Sequence, residues 1–173
     1  MKQLTKKDAH KIASLIFNSP LDILSKFEED DICSLADYKK YFFSAEMSFF
    51  LFFWIVNNCL QNGSCDKNFV MNLENEVAKL FAKKLKGKAG DYKIIIRNRF
   101  TSYPDLKSSG PEDRAKEREN LFIHYLHDDI ERGGFSSFIP DSNEFRAANL
   151  LHRFLYNRCL REILENKEIA ELL

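Results

Sequence analysis

Between Tyr41 and Leu60 the chain carries 15 apolar residues in 20, including the unbroken run FFLFFWIV from Phe49 to Val56. A helix that is apolar around its whole circumference cannot face water, so other helices, an interface or lipid must cover it. Glu46, Asn57 and Asn58 interrupt the stretch, and the helices read elsewhere are amphipathic in the way a water-soluble bundle requires. The sequence therefore predicts the central helix of a soluble core rather than a membrane span.

The breakers agree. With 16 Phe against 6 Gly and 4 Pro, large apolar side chains are plentiful and turn residues scarce, which suits long packed helices better than many short strands. A chain of 173 residues can bury a useful core without disulfide or metal staples. The predicted fold is all-α, a compact bundle of six or seven helices around the central Phe-rich helix, forming a single helical domain over residues 1–173.

Caps and periodicity place the helices. Thr5 with Asp8 opens a short helix over Lys6–Phe17, and Pro20 restarts a second one that ends at the acidic cluster Glu28, Glu29, Asp30 and Asp31, expected in solvent. Ser34 or a near neighbour opens the Phe-rich helix, which Asn62 and Gly63 stop. Phe69, Val70, Leu73, Val77, Leu80 and Phe81 mark a helix over Asp66–Lys86, ended by Gly87.

The segment YKIIIRNRF is ambiguous locally, because three consecutive Ile favour a strand while Tyr92, Ile96, Arg99 or Phe100, and Tyr103 recur at helical spacing. No partner strand is evident, so a helix is predicted. A polar loop from Pro104 to Gly110 leads to a helix starting at Pro111, amphipathic through Phe122, Ile123, Leu126 and Ile130 and ended by Gly133 and Gly134. After the linker FSSFIP, Asp141 or Ser142 caps a last long helix to Glu165, with a short tail helix beyond. The stripes at residues 69 to 81, 115 to 130 and 145 to 163 are expected to cover the central helix.

Lys plus Arg and Asp plus Glu both number 26, so no global field recruits nucleic acid or a membrane. Cys33, Cys59, Cys65 and Cys159 have no short paired spacing, and no opening stretch resembles a secretory signal, so reduced thiols and a cytoplasmic location are expected. A Cys59–Cys65 disulfide across a helix end is the minority alternative.

Motifs with chemistry are sparse. HYLHDD places His124, His127, Asp128 and Asp129 at helical neighbour spacings, but Phe122, Leu126 and Ile130 define the apolar arc and leave His124 and Asp128 on the wetter side. The prediction is a solvated face without tight metal. Glu-x-x-His pairs, nucleophile elbows, phosphate loops and dinucleotide fingerprints are absent from the sequence, and no cofactor is predicted.

Lys79, Lys83, Lys84, Lys86, Lys88, Lys93, Arg97 and Arg99 face Asp91 alone over residues 79–99. Lys79, Lys83 and Lys86, extended by Arg97 and Arg99, form the candidate anion-binding patch, and weak nonspecific anion binding is the most it is expected to show.

Glu46 is the only charged residue inside the Phe-rich helix and shares a side with Phe42, Phe49, Phe50, Phe53 and Asn57. Burial with a cation from another helix is predicted, with Arg97, Arg99 and Arg153 as candidates. His152 points with Leu155, Tyr156, Cys159 and Ile163 toward the core. Glu46 and His152 are thus the candidate buried polar site. The function predicted from these readings is a noncatalytic protein-protein interaction or self-association module, a homodimer through an apolar surface. The alternatives are an enzyme or small-ligand sensor built on Glu46 and His152, and a polyanion- or nucleic-acid-binding regulator using the basic stretch.

Overall fold

The structure is a computed structural model that describes residues 4–32, 35–103, 110–132 and 143–171. Those residues form seven helices and no strand: α1 Lys6–Glu29, α2 Asp37–Gln61, α3 Lys67–Leu85, α4 Ala89–Ser102, α5 Pro111–Arg132, α6 Asn143–Glu165 and α7 Lys167–Ala170. The all-α bundle expected from the sequence is what is observed. Cys33, the Ser34 start, the loop at 104–109, the Gly133–Gly134 stop, the FSSFIP linker and the Asp141 or Ser142 cap lie outside the described residues.

Thr5 and Asp8 form the expected capping box, but the helix they open does not stop at Phe17. It runs on through Pro20 to Glu29. A proline inside a helix removes one hydrogen bond and costs about 3 kcal/mol. Here Ile12, Ile16, Pro20, Leu24 and Phe27 share one buried face that packs on α2, α3 and α6, and a break at Pro20 would forfeit that face. Tertiary burial outweighs the local signal.

The Phe-rich helix α2 is the centre of the core, packed on α1, α4 and α5 along its backbone. Its rings reach the other helices as well: Phe49 stacks on Phe81 of α3 at 4.9 Å, and Phe50 meets Tyr156 of α6 edge-on at 5.6 Å. Residues Lys39–Gln61 are long and apolar enough to cross a membrane, but 67% of an 18-residue stretch within them is buried inside the bundle. α3 packs chiefly on α1 and α4.

The helix expected over Asp66–Lys86 begins at Lys67, with Asp66 as its cap, the Asp66 side chain accepting from the Phe69 amide at 2.8 Å. The end of α3 differs from expectation by one residue, because Lys86, not Gly87, takes the left-handed conformation (φ 54°). Gly87 is needed for another reason: the Tyr92 ring lies where its Cβ would be, 2.8 Å away. YKIIIRNRF is helical, within α4. Of the acidic cluster, Glu29, Asp30 and Asp31 are exposed, whereas Glu28 turns back to accept from Lys40 of α2.

Candidate functional site

Helical spacing on α4 brings Ile96, Arg99 and Tyr103 to the same buried face, opposite Glu46 of α2. The Glu46 carboxylate has no exposed surface. Arg99 Nε donates to both of its oxygens, at 3.1 and 3.0 Å, and the Tyr103 hydroxyl donates to Oε1 at 2.7 Å. Of the three cations expected for Glu46, Arg99 is the one that arrives. Arg97 instead grips Glu74 of α3 at 2.8 Å, and Arg153 pairs with Glu119 of α5 at 3.1 Å.

Arg99 serves a second acid. Its Nη2 donates to Asp129 of α5 at 3.2 Å, and its guanidinium carbon lies 3.5 Å from the centre of the Tyr125 ring. Tyr125 and Asp129 stand one turn apart, as do Arg99 and Tyr103, so two i,i+4 pairs on neighbouring helices build the cluster. One cation thus holds two carboxylates and locks α2, α4 and α5 together.

Burial dominates the electrostatics. It pushes the Glu46 carboxyl up to about 7, against the opposing pull of Arg99 and of the Tyr103 hydrogen bond. Asp129 rises for the same reason, and the Tyr103 phenol is held well above its ordinary value, so it remains a donor. The two acids raise Arg99 despite its own burial. The polar side chains that surround Glu46 are spent on one another; Asp129, its side chain 26% exposed, and the half-buried Tyr125 are where the cluster reaches the surface.

His152 is buried as expected, but its partner is another imidazole: His127 Nε2 and His152 Nδ1 lie 3.0 Å apart. One ring must donate and the other accept, which requires the accepting ring to be neutral. Burial, then the neighbouring His127 and Lys39, push His152 down to about 3. His127 is also lowered, by burial and by Arg153.

The sequence placed Glu46 and His152 in one site; in the structure each is bonded to partners of its own. No hydrogen bond or ion pair joins the two residues. Aromatic side chains pack beside both: Phe50 touches Tyr103 and Tyr156, while Phe43 touches Phe122 and His152.

HYLHDD divides between faces. His124 is exposed and lies 3.6 Å from Asp128, as its position opposite the apolar arc implies. His127 and Asp129, however, face inward from opposite flanks of that arc and find partners on α6 and α4, which a uniformly solvated motif would not do. No group of three or more metal-binding side chains occurs among the described residues.

The candidate anion patch also breaks up. Arg99 is turned into the core, Arg97 is held by Glu74, and Lys79 bonds Glu76 at 2.8 Å beside His10, which contacts the same carboxylate at 3.0 Å. Lys83 and Lys86 stay exposed without an acidic contact among the described residues, next to Lys84 and Lys88. Cys59, Cys65 and Cys159 are buried free thiols, so the Cys59–Cys65 disulfide is not formed.

No protein family matches the chain, and neither a curated protein nor a solved structure matches it.

Proposed function

We propose that this chain is a noncatalytic helical interaction module that pairs with a second copy of itself through the outer face of α6. The observation that carries the reading is the exposure of Leu150 (70%) and Phe154 (47%), one turn apart on a helix whose opposite face already fills the core with Leu155, Tyr156, Cys159 and Ile163. An isolated exposed Leu is ordinary; an aligned second apolar face is not.

The spacing favours a helix as occupant. Asn143, Ala147, Leu150, Phe154, Asn157, Arg161 and Leu164 recur at alternating steps of four and three, the seam of a two-helix pair. In an antiparallel pair Ala147 opposes Leu164 of the second copy, Leu150 opposes its Arg161, and Phe154 opposes its Asn157. That register also sets the exposed Arg146 beside Glu165 of the second copy, so the flanking charges are complementary. Asn157 and Arg161 in the seam make the pairing reversible rather than obligate. The Glu46 cluster, its polar side chains spent on one another, and the histidine pair give an enzyme or sensor built on those residues no support.

Sedimentation velocity over a concentration series tests the proposal. Reversible dimerisation is expected at about 10 to 100 µM chain, and Leu150→Glu with Phe154→Glu should abolish it while the far-UV spectrum is unchanged. A strict monomer at about 500 µM, or a dimer indifferent to the double substitution, would refute it.

A further inference from the structure

A groove of about 300 Å³ opens between α1, α2 and the end of α3, and it shares no lining residue with the Glu46 cluster or the outer face of α6. It exists because α2, Phe-rich elsewhere, presents Ser44, Ala45 and Ser48 at this height. Both serine hydroxyls donate to their own helix, Ser44 to the Tyr41 carbonyl and Ser48 to the Ser44 carbonyl, each at 2.9 Å. The floor therefore has no hydroxyl proton left for a polar guest.

Phe17 and Leu21 of α1 and Phe81 and Leu85 of α3 make the walls, with Phe17 edge-on to Phe81 at 4.9 Å. The rim is cationic. Lys40 is already engaged by Glu28, but Lys84 has no acidic contact among the described residues, and the exposed Lys83, Lys86 and Lys88 lie close to it along the chain, outside the groove lining. Tyr41 completes the mouth, and burial pushes its phenol up to about 12, so it stays a hydrogen-bond donor.

We infer that this groove binds a free monoacyl anion, its hydrocarbon chain on the Phe17, Phe81 and Ser48 surface and its carboxylate at Lys84 and Tyr41. The size is at the small end of ligand pockets, about 300 to 1,000 Å³, which fits one acyl chain better than a helix of a partner protein. Charge complementarity chooses the head: the lysines would hold a carboxylate and give a neutral alcohol nothing comparable. This inference also accounts for Lys84, which has no acidic contact among the described residues.

Titration calorimetry of the full chain with dodecanoate, below its micellar concentration, is the test. Saturable one-to-one binding is expected, with dodecanol weaker by about tenfold. Lys84→Glu should weaken dodecanoate by about tenfold or more, whereas Ser44→Leu, which fills the floor, should abolish binding of both ligands. Ser44→Ala should bind as the wild type does and shows that the hydroxyl is not the determinant. Equal affinity for dodecanoate and dodecanol, or binding that survives Ser44→Leu in a folded protein, would overturn the inference. So would association with anionic phosphatidylserine vesicles in the absence of any binding to monomeric dodecanoate, because the source of the anion would then be a lipid surface.

Discussion

Replacing Arg99 by Met keeps most of the side-chain volume but takes the shared cation away from Glu46 and Asp129. At pH 6 the Glu46 carboxyl, already pushed up to about 7, is mostly neutral in the folded protein, so the loss is mainly that of hydrogen bonds to Glu46 and the charged contact to Asp129. Bonds to charged groups contribute about 1.5 to 3 kcal/mol, and a cost near 2 kcal/mol is expected at this pH. Above pH 7 the wild-type Glu46 ionises with Arg99 beside it. In the variant it has no cation, its folded pKa rises further, and the unfolded value near 4.5 is unchanged. A folded pKa raised above the unfolded one means stability is lost as pH rises through the raised value. The wild type is therefore level above pH 7, while the variant keeps losing about 1.4 kcal/mol per unit. By pH 9 the difference should reach about 4 to 5 kcal/mol, the usual cost of orphaning one member of a buried pair. Urea unfolding followed by far-UV circular dichroism at pH 6, 7, 8 and 9 measures it. A destabilisation that does not grow between pH 7 and 9, or that grows equally when Glu46→Gln is already present, would refute the reasoning.

Two further outcomes are expected. His152, held down to about 3 and neutral when folded, takes up a proton below pH 6.5 only when unfolded, so it contributes stability that is lost as pH falls from 6.5. Glu46 acts in the opposite sense over an overlapping range, so the comparison must be with His152→Gln, whose stability should fall by about 2 kcal/mol less than the wild type between pH 6.5 and 4.5; parallel pH profiles would rule this out. Lys86→Gly, at φ 54°, should raise stability by about 1 kcal/mol because glycine adopts the left-handed conformation without a Cβ penalty; a midpoint that stays or falls would contradict the steric argument.

Helix existence was legible because periodicity and caps are local. The Thr5 cap and the Asn62–Gly63 stop each act within a few residues of themselves, and α4 could be assigned from the spacing of Tyr92, Ile96, Arg99 and Tyr103 despite its three Ile. Pro20 was misleading for a tertiary reason: its local chemistry says restart, but the buried face running from Ala9 to Phe27 pays only if α1 stays whole. The choice of Lys86 over Gly87 for the left-handed turn has the same origin, since Gly87 is reserved for the Tyr92 ring.

The candidate site was legible by face but not by partner. Periodicity said that Glu46 and His152 point inward and set Arg99 on the apolar side of its helix, some 200° from Arg97 on an ideal helix, but which acid each arginine meets is decided only once α3 and α5 are in place. Once Glu74 sits on one side and Asp129 on the other, each arginine has a different acid, and the basic stretch that looked like one surface becomes paired Lys79, Arg97 and Arg99 and five lysines without an acidic contact among the described residues. The same logic gives Glu46 and His152 different partners. A polar group surrounded by phenylalanine must be satisfied by whatever helix first reaches it, which for Glu46 is α4 and for His152 is α5. Each buried polar side chain of these two groups is thus answered nearby, so the chemistry that remains for a partner or ligand lies at the surface, where Leu150, Phe154 and Lys84 have no such answer.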